Sequence, residues 1–471
     1  MRIDEILIDR SPGETRIALC AKGRLIELDI DRASSPSLVG SIVLGRIKHI
    51  SGSTAWVDIG SVDDRLGFLD ISRGPSRLTE GSAVIVQVVR DSADSTGEKK
   101  GPLLSTVIAL SGPHLIYRPE KPGFEVPKKI GGPEARALLD EALGDQLVDK
   151  EGLAFRPAAG ARALRDDNPR QLRRLLLTEL ESLRQRWQKI KETAEQHAAP
   201  KLLEEMSFAV GIILAYGGPA VRIETNDRRL IATLRQKLRA LAPEWSDEID
   251  LTGPGEEIFT RHDLEDQIRA ALSPVISLPK GASLIIETTS ALTSIDINGA
   301  GQADPLAVNT SAVSEIARQV RLRGLGGLIL IDALRMTSGQ HRQRIIASLK
   351  QSFAADPVAV DILGFTSAGL IEITRKRQVS SLVSRLLAPQ TESVLSVETA
   401  ALIALRNVVH HADLYQGQIL TLTAAPGIIA ALNDRLKDAV GEVQTRLGSS
   451  LGLVSDPALG PDKFHISAQK P

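Results

Sequence analysis

The sequence predicts a multidomain chain of mixed α/β and α+β class, and three observations carry that expectation. The 471 residues make room for about three domains at roughly 150 residues each. Short strands punctuated by turn residues fill the first 110 positions. From about residue 202 to 386, helix and strand patterns alternate, as they do where helices pack on a sheet.

Residues 1–40 read as short strands. In RIALCAKGRLIELDI, apolar and polar positions alternate on either side of Lys22-Gly23, a hairpin signal. After the soft stretch DRASSPS come SIVLGRIKHI, TAWVDI, LGFLDI, AVIVQVV and LLSTVIAL, all within residues 41–110. Five short strands over so short a span predict a small closed barrel. The polar run DSADSTGEKKG reads as a loop before the last of them. Residues 111–167 are irregular and rich in Pro and Gly, with one short helix near Pro133–Leu143. A long helix follows, with Asn168 as its cap and Pro169 in its first turn. Leu172, Leu176, Leu180, Leu183, Trp187 and Ile190 share one face of it. Between Arg156 and Lys191, eight Arg and two Lys stand against two Asp and two Glu, a net charge of +6. That run is either a solvated helix face or a phosphate-binding surface. Residues 202–278 alternate helix and strand, with AVRIET as a strand and RRLIATLRQKLRAL as an amphipathic helix. Residues 281–386 look α/β, and the tail from about 395 to 471 holds two helices and short strands.

Composition removes several classes. The chain is 42% hydrophobic and 24% charged, which is ordinary for a globular protein and too apolar for a disordered one. No apolar run approaches the ~18 residues of a transmembrane helix, and MRIDEILIDR places charges where a signal peptide needs an apolar core. Cys20 is the single cysteine, so no intrachain disulfide and no cysteine-pair zinc site is expected. These features together predict a cytoplasmic protein. With 57 basic and 58 acidic residues the net charge is −1, so any phosphate binding must come from local patches.

The chemistry concentrates in residues 283–334. SLIIETTS and ALTSIDIN read as two strands joined by a tight polar turn. Alternation in Ser294-Ile295-Asp296-Ile297-Asn298 sets Ser294, Asp296 and Asn298 on one face. A helix follows over about Ala307–Arg323, ended by Gly324 and Gly326-Gly327. Leu328-Ile329-Leu330-Ile331 is an apolar run of the kind buried on both faces, and it ends in Asp332. A strand–helix–strand unit predicts parallel, adjacent strands. Both aspartates then stand at the carboxyl ends of their strands, where open α/β sheets place ligands. Two carboxylates meeting there repel unless a cation lies between them, and Mg²⁺, a hard oxygen-seeking ion, suits that position. Asn298 would hold a water or orient a carboxylate. Against this stands the ordinary use of a strand-ending Asp as a cap or turn residue.

ALTSIDING, SEIARQVRLRGLGGLILIDALRM, HRQR and GLIEITRKR together resemble the catalytic core of the ribonuclease E/G family of bacterial endoribonucleases. The resemblance continues into the barrel through Trp56, Gly67-Phe68-Leu69 and Lys99-Lys100-Gly101, which is similar to the family's oligonucleotide-fold (OB-fold) RNA-binding domain. It also covers Leu110-Ser111-Gly112 to Gly152-Leu153 and Arg156, similar to the family's 5′-end sensor. The implied fold is a ribonuclease-H-like scaffold with an inserted barrel and sensor, a DNase-I-like α/β catalytic subdomain and a small C-terminal α+β domain. The implied bounds are 1–40 and 202–278 for the scaffold, 41–110 for the barrel, 111–201 for the sensor, 279–386 for the catalytic subdomain and 395–471 for the last. The implied activity is Mg²⁺-dependent cleavage of single-stranded RNA, in RNA processing and mRNA decay, to 5′-phosphate and 3′-hydroxyl products. On this resemblance Asp296 and Asp332 are metal ligands and Asn298 supports them. Trp56, Phe68 and Lys100 grip RNA, and Gly112, Ile116 and Arg156 receive a 5′-terminal phosphate. Trp56 also has an ordinary reading as barrel core.

The sequence departs from the family's pattern at several points. The loop GAGQADPLAV after Asn298 is short and has neither Arg nor Glu. Pro157 stands where the sensor has a threonine, and Ser367 where the family has an arginine. APQTESV lacks the Cys-x-x-Cys pair through which relatives share zinc, so no structural zinc is expected and any homo-oligomer would have to form without that link. Two readings remain: an active RNA endonuclease, or an RNA-binding or regulatory relative with weak or no catalysis. The intact Asp296, Asn298 and Asp332 favour the first.

Overall fold

The computed structural model describes residues 3–60, 65–72, 78–91, 93–95, 98–127, 130, 132–148, 150–164, 168–218, 221–241, 245, 249–253, 257–289, 291–301, 304–376, 381–387, 395–415 and 418–469. The architecture is mixed α/β, and the chain divides into two compact units. One is built from the chain up to Ser34, Glu224–Asp227 and everything from Asp250 onward; the other is built from Ser35–Ile223 and Arg228–Ile249.

In the first unit, Glu5–Ser11, Glu14–Ala21 and Arg24–Arg32 form an antiparallel meander. The second hairpin turns at Lys22 and Gly23, both at positive φ (52° and 72°), as the sequence predicts. Leu7, Ala18, Cys20, Leu25 and Leu28 pack on Ile258, Phe259, Leu264 and Ile268 from two short helices. Burial, and then the neighbouring Glu5 and Asp4, push the Cys20 thiol up to about 12, so it is a core residue rather than a nucleophile.

The same unit carries a six-stranded mixed sheet, in the order Val275–Ser277, Ser283–Thr288, Leu292–Asn298, Gly327–Asp332, Ile371–Arg375, Val360–Phe365. The helices Pro305–Leu322 and Gly339–Phe353 cover one face of it, over a core of Ile295, Ile297, Ile329, Ile331, Ile371 and Ile373. Asp304 caps the first helix, its Oδ1 accepting from the N–H of Leu306 (3.0 Å) and Ala307 (3.2 Å). Gly324 (φ 64°) turns the chain out of its C-terminal end. The C-terminal part places Val397–Leu414, Pro426–Asn433 and Lys437–Leu447 on a sheet ordered Gly452–Ser455, Ile419–Ala424, Phe464–Gln469. Three helices stand there, against two expected.

In the second unit the barrel closes through Ile42–Ser51, Thr54–Asp58, Gly67–Asp70, Leu103–Ser105 and Ala83–Arg90, the last pairing back onto the first. Closure leaves no open ladder among these strands. Lys201–Glu204 adds a further strand beside Ile42–Ser51. The polar run read as a loop instead holds a short hairpin, Ala93–Ser95 with Glu98–Lys100. LLSTVIAL does not continue as one strand: Ser105 Oγ accepts the Val107 N–H (2.9 Å), a local turn that ends the ladder. Leu110–Ser111 then pairs with Leu115–Arg118 in a separate four-stranded sheet.

The long helix runs Pro169–Glu195, and Asn168 Oδ1 caps it through Arg170 N (3.1 Å). All six apolar residues named from the sequence are buried along it. Each such side chain contributes roughly 1.5–3 kcal/mol, so the helix is fixed by its apolar seam. Among the described residues no helix is long and apolar enough to cross a membrane.

Candidate active site

Three strands of the mixed sheet set the geometry. Leu292–Asn298 and Gly327–Asp332 pair in parallel, with Asp296 directly opposite Asp332. Ile295, Ile297, Ile329 and Ile331 point into the core, so the pleat turns Asp296, Asn298 and Asp332 outward, where all three are exposed. The two aspartates stand one strand spacing apart, about 4.8 Å at the backbone. No hydrogen bond or ion pair within the described residues engages either carboxylate. Two uncompensated anions side by side are a poor arrangement without a cation. Hard carboxylate oxygens in the open fit Mg²⁺, which takes one or two carboxylates and completes its shell with water and phosphate oxygens. Among the described residues no group of three or more His, Cys, Asp or Glu side chains gathers as a metal cluster.

The surroundings of the pair are fixed by backbone turns. Asn298 Oδ1 accepts the Ala300 N–H (3.0 Å), so its oxygen is committed to the turn and its Nδ2 is the donor it can offer. Ala300 (φ 48°) and Gly301 (φ 76°) carry the chain away from the strand, and a Cβ at Gly299 would lie 2.7 Å from Leu334 Cδ1.

Two features escaped the sequence reading. Asn309, fully buried in the helix Pro305–Leu322, donates Nδ2 to the Leu334 carbonyl (2.8 Å) and accepts the Leu334 N–H on Oδ1 (3.0 Å). It pins the segment that leaves Asp332; a lone amide on an otherwise apolar helix face was the signal. Glu372 lies opposite Leu330 on the next strand, on the same face as the aspartates and one row away, half-buried. Strict alternation in Ile-Glu-Ile-Thr marks it.

On the barrel, Ala55 and Val57 are core while Trp56 between them faces outward, half-buried. Trp56 lies opposite Phe68 on one side and opposite His49 on the other. Phe68 is 41% exposed. Lys100 falls on the short hairpin opposite Ala93, and its side chain lies outside the described residues.

In the segment whose sequence resembles a 5′-end sensor, the Gly112 N–H donates to the Leu115 carbonyl (2.9 Å), and Ile116 sits in a strand pairing with Ser111 and Ala154. The buried end of Glu179 organises this turn. Its carboxylate accepts from His114 N (3.0 Å), Leu115 N (2.8 Å) and His114 Nδ1 (2.8 Å), and a Cβ at Gly112 would collide with it. Arg156 donates its backbone N–H to the His114 carbonyl (2.8 Å) and Nη1 to the Leu214 carbonyl (3.1 Å). Burial lowers the Arg156 pKa to about 10 against the opposing pull of Glu179, so it stays cationic at neutral pH. Pro157 begins a short helix. Part of the arginine run makes contacts within the fold. Arg173 bonds the carbonyls of Glu141 and Ala142, Arg184 pairs with Glu151 (2.6 Å), and Arg186 with Glu204 (2.8 Å).

Ser367 is exposed in the turn between the last two strands of the mixed sheet, while residues 302–303 of the shortened loop and 388–394, the position of the missing cysteine pair, lie outside the described residues.

The sequence model of the "Ribonuclease E/G family" matches residues 109–378, a span that contains both aspartate-bearing strands. Ribonuclease G of Salmonella typhimurium (strain SL1344) and Ribonuclease G of Escherichia coli (strain K12) are each 28% identical over 501 aligned positions, covering 98% of this chain and 99% of the relative. Ribonuclease E of Escherichia coli (strain K12) is 31% identical over 493 positions, covering 96% of this chain and 45% of that protein. The family match takes in more than half of the sequence and the relatives align along nearly all of it: the chain belongs to the ribonuclease E/G family.

Proposed function

We propose that this chain is an endoribonuclease cutting single-stranded RNA with Mg²⁺, and that Asp296 and Asp332 hold the ion. The observation that carries the assignment is the direct pairing across parallel strands of two exposed aspartates that have no partner among the described residues, in a chain of this family. Mg²⁺, when bound, supplies Lewis-acid polarisation of a phosphodiester oxygen and a more acidic water. The two carboxylates provide fixed negative charge on the open sheet face, and Asn298 Nδ2 offers a hydrogen bond beside them. In the overall hydrolysis, water adds hydroxide to phosphorus, the P–O3′ bond breaks and the 3′ oxygen takes the proton. The products are a 5′-phosphate and a 3′-hydroxyl.

The mixed sheet is the DNase-I-like subdomain in this reading, and the N-terminal meander belongs to a ribonuclease-H-like scaffold. The barrel is the RNA-binding OB-fold, with Trp56 and Phe68 as its stacking rings. Gly112, Ile116 and Arg156 form a reduced 5′ sensor. The Gly112 N–H is already bonded to Leu115, and Pro157 has neither hydroxyl nor N–H to give, so Arg156 is its main remaining donor.

The test uses the full chain, a labelled single-stranded RNA, Mg²⁺ and a chelator. Wild-type protein cleaves with Mg²⁺ and stops with chelator. Asp296→Asn and Asp332→Asn each remove one anionic ligand and lower cleavage by orders of magnitude, while RNA binding persists. Wild-type cleavage rates in either variant would remove the two aspartates from the mechanism.

A further inference from the structure

We propose that His49 is a third nucleobase-stacking ring of the barrel, extending the Trp56–Phe68 pair by one strand. This rests on the reading of that face as the RNA-binding surface, and it adds a residue outside that pair. Cross-strand register places His49 opposite Trp56 and Trp56 opposite Phe68, so the three rings form one row over three adjacent strands. Residues directly opposite in antiparallel strands share a face. Two strand spacings, roughly 10 Å, separate the ends of the row. His49 and Trp56 are already stacked, with ring centroids 5.5 Å apart and planes 28° from parallel.

Exposure argues for a ligand rather than for packing: the His49 side chain is 62% exposed. An exposed imidazole gains little for the fold, yet this one is held in place. Its Nδ1 lies 3.0 Å from Glu80 Oε1, and the same oxygen accepts the Ile50 N–H at 2.9 Å. The carboxylate therefore ties ring and strand together and fixes the ring plane before any base arrives. A pre-oriented ring loses less conformational freedom on binding than a mobile one. The irregularity between Ile47 and His49 in the strand pairing has a matching effect: it brings His49, rather than Lys48, opposite Trp56. The row continues with Leu103 opposite Phe68, an apolar floor at the far end.

The experiment measures affinity of the full-length protein for a fluorescent single-stranded RNA ten-mer in EDTA, which prevents cleavage, with thermal midpoints in parallel. His49→Ala weakens binding by about five- to tenfold, the lower part of the range for one stacked base, with an unchanged midpoint. His49→Phe, which keeps an aromatic ring without the imidazole nitrogens, restores affinity. Trp56→Ala and Phe68→Ala are measured beside it. If those two weaken binding and His49→Ala does not, the inference is overturned while the face remains the RNA surface. If His49→Phe is as weak as His49→Ala, stacking is overturned. If none of the alanine variants loses affinity, the reading of the face itself fails, and this inference with it.

Discussion

Asn309 shows how a single buried amide can govern a site it does not touch. Both of its hydrogen bonds go to the backbone of Leu334, two residues beyond Asp332, so the exit of the aspartate-bearing strand has one fixed path. Asn309→Ala would leave the part-buried N–H and C=O of Leu334 without their side-chain partner, a cost toward the low end of the about 1–3 kcal/mol for a buried group. The expected result is a lower urea midpoint and a lower kcat with KM little changed, because the proposed reading has the barrel gripping RNA. Asn309→Asp keeps the acceptor but buries a carboxyl with an oxygen facing the Leu334 carbonyl, and should be at least as destabilising as the alanine variant. Unchanged kcat in the alanine variant would show that the Asp332 strand holds its own position. At this scale the alternation in SIDIN made the facing of Asp296 and Asn298 readable from the sequence, whereas the unbroken apolar run before Asp332 assigns that residue no face, and its direction follows from its pairing with Asp296. Asn309 was legible only as an amide on an apolar helix face; its role was not, because its partner lies 25 positions away on a backbone group that no side-chain pattern encodes.

Elements with a strong local signal came out where their sequences put them. The Asn168 cap, the apolar seam of Pro169–Glu195 and the Lys22-Gly23 hairpin each depend on neighbours within one or two turns. Elements made by distant pairing did not. Lys201–Glu204 is a strand because Ile42–Ser51 lies alongside it, and its four residues carry no alternation of their own. The break in LLSTVIAL follows from Ser105 and from Gln87, whose side chain accepts the Ala109 N–H (2.8 Å) and donates to the Ala109 carbonyl (3.1 Å). Glu179 belongs to the same class: it sits mid-helix yet organises a turn about 65 residues earlier. Glu179→Gln replaces a carboxylate that accepts three hydrogen bonds with an amide that brings its own donor. Loss of one hydrogen bond to a charged group costs about 1.5–3 kcal/mol. Calorimetry should record a lower midpoint and a loss of stability of that order, and hydrogen exchange should show faster exchange at His114 and Leu115. Normal protection at those two amides would mean the turn is held without Glu179.

Within the first unit, a network of buried ions joins parts of the chain that are far apart in sequence. Asp9 pairs with Arg16 (2.5 Å), Arg16 with Glu265 (2.7 Å), and Glu14 with both Arg32 (2.9 Å) and Arg406 (2.5 Å). Burial alone would raise the Asp9 pKa, but the charges of Arg16 and Arg406, with hydrogen bonds from Arg16 and Asn226, more than offset it and hold the carboxyl below its ordinary 3.8. A carboxyl depressed in the folded chain contributes stability that is complete above the unfolded value and lost as pH falls through the folded one. Denaturation followed from pH 6 downward should therefore show stability falling below about pH 4, and Asp9→Asn should flatten that dependence. The same variant should be less stable at neutral pH by about 3–5 kcal/mol, since it leaves Arg16 buried with a partner missing. An unaltered acid profile would show that other carboxyls set it. The parallel pairing of Leu292–Asn298 with Gly327–Asp332 has a consequence for the order in which the molecule becomes competent. Its two carboxylates are separated by an 18-residue crossover helix, and parallel pairings across such connections form slowly. A chain still on the ribosome carries one aspartate without the other until Gly327–Asp332 has emerged and docked. The two-carboxylate face proposed to hold Mg²⁺ is therefore complete only once the crossover helix and the second strand have both been made.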